Sequence, residues 1–201
     1  MRTGSVVRRS VGFLCFVFLS YGSATAFAAV PSAGQILEKT QAWSAELPAV
    51  ARGYRLEISR DTREPRVGRA TLTASRMLET EEASLRESRA LRLWEALIRG
   101  QGQSALGQVG VDTQVTSLYH LNRRVVVIVG ALPMQPDAPQ VWFDRDTGAP
   151  VRVIYVLPGQ GREVLTMGSH DLPGTLGFFP GTWFWEDAHT QIFGQLIDTS
   201  R

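Results

Sequence analysis

The sequence predicts an α+β domain built on an antiparallel β-sheet, and three features of the chain lead to this class. The chain has 201 residues, which is enough for one domain with a core and too few for two large ones. Two segments in its first half show the spacing of amphipathic helices. After residue 110, short apolar or alternating segments follow one another with short turns between them, which is typical of antiparallel strands.

Residues 1–28 show the three zones of a cleaved secretory signal. Residues 1–10 carry positive charge, residues 11–19 are an almost unbroken apolar run, and Ala26-Phe27-Ala28 is a site that a signal peptidase accepts. The apolar run has about nine residues, whereas a helix that spans a membrane needs roughly 20. We therefore expect cleavage after Ala28, an exported product and, in a Gram-negative bacterium, a periplasmic location.

A lipid anchor at Cys15 is not expected. This residue lies inside the apolar run and follows Leu14, where a lipoprotein signal requires a small residue. Cys15 is also the one cysteine of the chain, so the sequence from 29 to 201 contains no thiol. This composition excludes a disulfide framework, a zinc site with cysteine ligands and a cysteine nucleophile from that domain.

The charge balance argues against a nucleic-acid-binding domain. The whole chain has a formal net charge of +2. Three arginines and no acidic residue lie in residues 1–28, which leaves 18 basic and 19 acidic residues in the remainder. A domain of about −1 net charge without a basic stripe lacks the electrostatic footprint of a nucleic-acid binder, so we expect no nucleic-acid partner.

The first structured segments are a helix and a hairpin. Residues 31–47 are predicted to be helical, because Ile36, Thr40, Trp43 and Leu47 fall on one stripe. Residues 52–59 alternate between apolar and charged side chains, as in a half-buried strand, and residues 67–74 are predicted to return antiparallel to them. The side chains predicted to point inward are Tyr54, Leu56, Ile58 and Leu72.

One long helix is predicted for residues 79–98. This segment is rich in Glu, Arg, Leu and Ala, and its apolar stripe includes Trp94 and Leu97. Gly100 is a natural stop for the helix, and residues 101–110 are predicted to form a loop with a short helical turn at 104–106. A loose dinucleotide fingerprint in this loop follows a helix instead of a strand, so we interpret it as a flexible connection.

The second half of the chain is predicted to be sheet. The run at 124–129 is apolar throughout, which fits a central strand covered on both faces. Gly148 is expected to close one hairpin with a positive φ, so Gly148→Val should cost about 1 kcal/mol or more. The predicted strands of this half are 115–119, 124–129, 140–143, 151–157, 163–167, 182–185 and 191–197.

Two arrangements of polar residues permit a hydrolase, and both have a simpler explanation. Ser169 precedes His170 and Asp171, but neighbours in sequence rarely face each other as a nucleophile and its base must. Four carboxylates lie between Glu79 and Glu87, where the helix macrodipole alone favours acidic residues. We therefore expect no enzymatic activity and keep a hydrolase as the weaker alternative.

The aromatic residues are the most distinctive feature of the domain. Five tryptophans lie beyond the signal, and three phenylalanines accompany the last two of them. A curved sheet with large apolar side chains and no catalytic polar cluster can enclose an apolar cavity. The tryptophans are Trp43, Trp94, Trp142, Trp183 and Trp185.

Several segments between Ile36 and Asp198 resemble the outer-membrane lipoprotein-sorting (LolA/LolB-like) superfamily of the bacterial envelope. The most specific of them is a hairpin with the pattern W-x-D-x-x-T-x-x-P-x-R, which is followed later by Phe-Pro. The segments are Gln35-Ile36-Leu37-Glu38-Lys39, Gly110-Val111-Asp112, Ser117-Leu118, the run 126–131, the hairpin 139–152 and Gly177-Phe178-Phe179-Pro180. The similarity is greater to the sorting-protein-like branch than to the soluble carrier of that pathway.

The resemblance implies a strongly curved, unclosed half-barrel of antiparallel strands with helices covering its concave face. In that superfamily the hollow holds lipid acyl chains without a cofactor, and an arginine of the carrier locks the helix lid. Arg52 and Arg55 are the candidates for that arginine. The chain without residues 1–28 is then a single domain, 29–201, of the soluble-carrier type.

These observations predict a periplasmic protein that binds lipids or lipidated proteins and meets partners at the inner and outer membranes. The expected lipid-binding residues are Tyr54, Leu56, Ile58, Leu72, Trp94, Leu97, Trp142, Tyr155 and Trp183. The main alternative is a non-enzymatic envelope interaction protein that uses the same fold with a filled core to dock a partner. Bound lipid distinguishes the two.

Overall fold

The computed structural model describes residues 29–61, 64–121, 124–130, 135, 138–157, 159, 161–170 and 179–197. The predicted signal, residues 1–28, and the Gly177-Phe178 part of the superfamily motif lie outside these residues. The helices are α1 (Ala33–Glu46), α2 (Ala83–Glu87), α3 (Arg89–Ile98) and α4 (Gly102–Gln108). The strands are β1 (Arg52–Arg60), β2 (Arg66–Leu72), β3 (Leu78–Thr80), β4 (Asp112–Leu121), β5 (Arg124–Gly130), β6 (Gln140–Asp144), β7 (Pro150–Leu157), β8 (Gly161–His170), β9 (Phe179–Glu186) and β10 (Thr190–Leu196).

Within the described residues, ten strands form one antiparallel, curved and unclosed sheet. Its order is β3-β2-β1-β10-β9-β8-β7-β6-β5-β4, so β3 and β4 are its two edges. The helices pack on one face, where α3 contacts β7 and β8 and where α1 and α4 contact β4. The α+β half-barrel with helices over its concave face, predicted from the sequence, is confirmed.

One row of paired residues identifies the face that the helices cover. Because side chains alternate between the two faces of a sheet, residues paired across neighbouring strands lie on the same face. The indole Nε1 of Trp185 donates to Ser88 at the start of α3, so this row faces the helices. The row runs Ile58, Ile192, Trp185, Leu165, Val153 and Val141.

Helix α1 begins at a capping box. The Ser32 hydroxyl accepts from the Gln35 N–H, and the Gln35 side chain accepts from the Ser32 N–H. These bonds satisfy two of the free N–H groups at the helix start. The stripe of Ile36, Thr40 and Trp43 is buried, as its spacing predicts.

The prediction of one helix over 79–98 is wrong in part, because the segment forms β3, α2 and α3. Ser88 has an extended backbone (φ −60°, ψ 123°), ends α2 and caps α3 by accepting from the Leu91 N–H. A serine favours such a boundary because its hydroxyl replaces a helical hydrogen bond. Acidic and arginine-rich composition favoured a continuous helix, but the contacts of Ser88 with the sheet decide the break.

The segment after α3 also differs from the predicted loop. Gly100 ends the helix with φ +79°, as its position predicts, but residues 102–108 then form α4 instead of a loop with one turn. At Gly102 a Cβ would lie 2.7 Å from Leu37 Cδ2 of α1, so this glycine permits close packing of α4 on α1. None of the helices in the described part of the chain is long and apolar enough to cross a membrane.

The hairpin between β6 and β7 closes on the first helix. Gly148 has φ +77°, as predicted, and its N–H donates to the Asp144 carbonyl at 2.8 Å. The Asp144 carboxylate accepts from the backbone N–H groups of Asp146 and Thr147, which fixes the turn. The Gly148 carbonyl accepts from the Thr40 hydroxyl of α1 at 2.7 Å. This turn therefore supports the helix layer as well as the hairpin.

Candidate functional site: the apolar interior between the helices and the sheet

A small apolar cavity lies between α3 and the concave face of the sheet. Its volume is about 10 Å³, which is close to the space that one water molecule needs. Every side chain around it is aliphatic, aromatic or a thioether, and such cavities stay dry. The lining residues are Tyr54, Leu72, Leu78, Leu91, Trp94, Met167 and Trp183. Between these seven residues, the interior is therefore almost filled by side chains.

Eight of the nine residues that the sequence predicts as lipid-binding lie on the helix side of the sheet or on α3. Tyr54, Leu72, Trp94 and Trp183 line the cavity itself. Leu56, Ile58 and Leu97 belong to the same buried core, and Tyr155 is half-buried against it. The structure thus brings these residues to one apolar region.

Trp142 is the exception, and its placement corrects the prediction. It follows Val141, whose side chain faces the helices, so the Trp142 side chain lies on the opposite face of the sheet. There its ring lies 5.4 Å from the ring of Tyr119, and the guanidinium of Arg152 lies 5.1 Å from it. Its indole Nε1 donates to the Gln140 side chain at 2.8 Å. Trp142 does not line the interior.

The polar atoms of the side chains that line the cavity belong to a phenol and to indole rings, which carry no charge. Burial raises the pKa of the Tyr54 phenol well above its ordinary value, although the charge of Arg52 opposes the shift. The Tyr54 ring contacts Trp183 edge-on, with centroids 6.1 Å apart. The indole Nε1 of Trp94 donates to the Pro150 carbonyl at 3.3 Å, which fixes the ring against β7. A neutral aromatic lining suits an apolar ligand.

A buried hydrogen-bond network holds the start of α3 on the sheet. The Glu163 carboxylate of β8 accepts from the Ser88 hydroxyl at 2.7 Å and from the Ala90 N–H at 3.1 Å. The Ser88 hydroxyl in turn accepts from Trp185 Nε1 at 2.8 Å. A carboxylate at a helix N-terminus satisfies free N–H groups and complements the helix dipole. No local pattern in the sequence predicts this network, because Glu163 and Trp185 lie more than 70 residues from Ser88.

Arg76 joins the other ends of the helices to the sheet. It lies in the turn between β2 and β3 with φ +64°. Its guanidinium donates to the Ser44 hydroxyl of α1 and to the Ile98 carbonyl of α3, the latter at 2.9 Å. Arg55, by contrast, alternates with Tyr54 and Leu56 and is exposed on the other face of the sheet. Arg76 therefore bridges both helices to the turn between β2 and β3.

A further tie connects β3 with α3. The Glu95 carboxylate accepts from the Leu78 N–H at 2.6 Å and is almost completely buried. Burial raises the pKa of Glu95, although the Leu78 N–H and the charges of Arg99 and Arg92 oppose the shift. Directional contacts along α1 and α3 therefore hold the helix layer on the sheet around an apolar centre.

Glu82, one of the four carboxylates considered for a hydrolase, does not have the environment of a general acid. Glu82 is buried and ion-paired with Arg60 and Arg66, and its carboxylate caps α2 at Ser84. Burial alone raises its pKa, but the Ser84 hydrogen bonds and the two guanidinium groups outweigh burial and leave it below the ordinary value. A general acid in glycoside hydrolysis needs a raised pKa. At Ser169 the structure describes only the backbone.

Comparisons with known proteins find fold relatives and no sequence relatives. No family model matches the chain, and no curated protein matches it. Among solved structures, the chain is similar to a LolA superfamily protein from Nitrosomonas europaea, with 13% identity, a TM-score of 0.47, and coverage of 84% of this chain and 92% of that chain. It is also similar to an outer membrane lipoprotein-sorting protein domain from Vibrio parahaemolyticus, with 11% identity, a TM-score of 0.43, and coverage of 83% and 92%. At these identities the likeness concerns the fold alone.

Proposed function

We propose that this protein binds lipids or lipidated proteins in the bacterial periplasm and holds their acyl chains between the helices and the sheet. The observation that carries this proposal is the entirely apolar cavity beneath α3, with Trp94 and Trp183 in its lining. Each acyl CH₂ group removed from water contributes about 0.8 kcal/mol. A water-soluble domain can shield such a chain only by offering it a dry apolar surface.

Acyl binding requires the helices to separate from the sheet, because the cavity of about 10 Å³ is too small for an acyl chain. Directional contacts between the helices and the sheet hold the helices closed. They include Arg76 on Ser44 and Ile98, and Thr40 on Gly148. Breaking these contacts would expose the apolar surfaces that an acyl chain then covers. We assign to Arg76 the role of the arginine that locks the helix lid.

The location follows from the predicted secretory signal. We propose that residues 1–28 direct export and are removed after Ala28, which leaves one domain, 29–201, without a lipid anchor. No enzymatic step is part of this proposal, and neither is a cofactor or a nucleic-acid partner. The partners would be lipids, lipidated proteins and the envelope proteins that deliver and receive them at the two membranes.

The alternative function is that of an envelope interaction protein with a filled core. The small size of the cavity favours this alternative, since a filled interior needs no ligand. A protein of this kind would keep its helices docked and bind its partner through an outer surface. The two functions differ in whether an acyl chain enters the interior.

Native mass spectrometry of protein purified from a bacterial periplasm tests the proposal. We expect a chain that begins at Ala29 and carries a noncovalent adduct that releases an acyl-containing molecule on activation. Protein produced in the cytoplasm without residues 1–28 is the control for lipid acquired by chance. A bare chain in both preparations would contradict lipid binding, and an N-terminus at Met1 or a diacylglycerol on Cys15 would contradict the proposed export.

A further inference from the structure

A groove of about 780 Å³ runs along the outer edge of β2, beyond the end of β3. Strand β3 pairs only with the three residues 70–72 of β2. Among the described residues, no strand pairs with the outer edge of residues 66–69. The rim of the groove is formed by residues of β2 and by the segment from Glu79 to Glu82, which ends β3 and leads into α2. The groove thus lies beside a short, open strand edge.

The backbone of Val67 points into this groove. The N–H of Thr73 donates to the Met77 carbonyl in the hairpin turn, so Thr73 directs its backbone groups toward the β3 side. In an antiparallel strand this direction repeats at every second residue, which places Thr71, Arg69 and Val67 on the same side. The Arg69 carbonyl confirms the alternation by accepting from the Thr80 hydroxyl at 3.0 Å. Val67 is the next residue of this set. It is 64% exposed to solvent.

The same groove reaches the apolar interior at Gly68. Gly68 pairs with Leu56 and therefore lies on the helix side of the sheet. It has no side chain there, and a Cβ would lie 3.1 Å from Ile58 Cδ1 and 3.6 Å from Leu56 Cβ. Leu56, Ile58 and Ala70 consequently line the groove together with the open edge. An apolar surface and a row of backbone hydrogen-bonding groups meet at one place.

We propose that this groove binds the peptide segment that follows the acylated N-terminal residue of a lipidated protein. The segment adds as a short strand to β2 at Val67, while the acyl chains enter the interior past Gly68. This inference rests on the proposed function and names the peptide part of its ligand. In a lipidated protein the acyl chains are attached to the residue from which the peptide continues. A site that binds both parts therefore requires an apolar surface and an open strand edge next to each other.

The dimensions of the edge favour a peptide over a second copy of the chain. Four strand residues extend about 13 Å, which suits three or four residues of an extended peptide and is short for a stable dimer interface. Backbone hydrogen bonds do not depend on the side chains of the ligand. A site of this kind would accept lipidated proteins that differ in sequence after the modified residue.

The test compares Val67→Pro with Val67→Ala. Proline removes the N–H that points into the groove, and the pairing of β2 with β1 does not use that N–H. Alanine keeps the N–H and shortens the same exposed side chain. Each variant and the wild type are titrated with a synthetic triacylated hexapeptide and with a fluorescent fatty acid. Thermal melts establish that both variants are folded.

We expect Val67→Pro to bind the triacylated peptide about five- to tenfold more weakly than Val67→Ala, which corresponds to the loss of one hydrogen bond. Both variants should bind the fatty acid as the wild type does. Equal affinity of the two variants for the triacylated peptide would overturn the inference. If the wild type bound neither ligand, both this inference and the proposed function would be contradicted. If the wild type bound the fatty acid and the two variants bound the triacylated peptide equally, only this inference would be contradicted.

Hydrogen exchange of the wild type gives a second readout that needs no variant. Addition of the triacylated peptide should slow amide exchange at Val67 and Arg69, because their N–H groups become hydrogen-bonded. The fatty acid should not slow exchange at these two residues. Slowing by both ligands to the same extent would show that acyl chains alone order the edge, and would contradict a peptide-binding role.

Discussion

Replacing Gly148 by valine is expected to lower the free energy of unfolding by about 3 kcal/mol, more than a turn glycine alone would suggest. A β-branched residue at φ +77° costs about 1–2 kcal/mol. In addition, a Cβ would lie 2.6 Å from Lys39 Cβ and 2.6 Å from the Thr40 nitrogen of α1. Forcing two packed segments apart adds about 1–3 kcal/mol. Denaturant unfolding measures the total.

Gly159→Val is the matched control for this prediction. Gly159 has φ +71°, and no atom of the residues that the structure describes, its two chain neighbours aside, lies within 4 Å of the position that its Cβ would take. This variant carries the conformational strain without the collision, so its loss of stability should be about 1–2 kcal/mol. Equal losses for the two variants would mean that the turn does not bear on α1. A larger loss at Gly148 measures the contact between the hairpin and the helix layer.

Arg76→Gly is expected to loosen the helices and raise the apparent affinity for an acyl ligand about tenfold. Glycine adopts φ +64° freely, so the turn between β2 and β3 persists. The variant loses the guanidinium bonds to Ser44 and Ile98, and hydrogen bonds of a charged group contribute about 1.5–3 kcal/mol. If the closed state loses about 1.4 kcal/mol relative to the open one, the binding-competent fraction rises about tenfold.

The control for Arg76→Gly is Arg55→Gln. This variant also removes one positive charge, but Arg55 is exposed on the face of the sheet opposite the helices. Its affinity for a fluorescent fatty acid should equal that of the wild type. In Arg76→Gly, by contrast, a denaturant melt should show lower stability while the titration shows tighter binding. Weaker binding by Arg76→Gly would contradict a closed state that must open before the ligand enters.

Most strands of the sheet could be predicted from the sequence, because each strand shows its own pattern of apolar and polar residues. The alternation of Tyr54, Leu56 and Ile58 predicts their buried face, and Gly148 marks its turn by its position between two apolar strands. The apolar run of β5 predicts its burial on both faces, which the structure shows for four consecutive residues. These features depend on neighbours within a few residues, so a single sequence is sufficient to find them.

The contacts between the helices and the sheet could not be predicted in the same way. The break at Ser88 depends on Glu163 and Trp185, which are 75 and 97 residues away. The bridge from Arg76 to Ile98 spans 22 residues and depends on how α3 ends. The face occupied by Trp142 follows from the pairing of β6 with β7, since all five residues of β6 are buried and burial does not distinguish its two faces. Tertiary pairing, which no local pattern records, decides all three.

The most direct test of an acyl-binding interior is a titration of the wild-type domain, residues 29–201, with a fluorescent fatty acid while tryptophan emission is followed. Trp94 and Trp183 line the cavity, so a chain that enters between α3 and the sheet must change their surroundings. We predict saturable binding with a shift or quenching of tryptophan emission that saturates at the same ligand concentration. No saturable binding by the wild type or by Arg76→Gly would contradict acyl binding and favour a protein whose core is permanently filled.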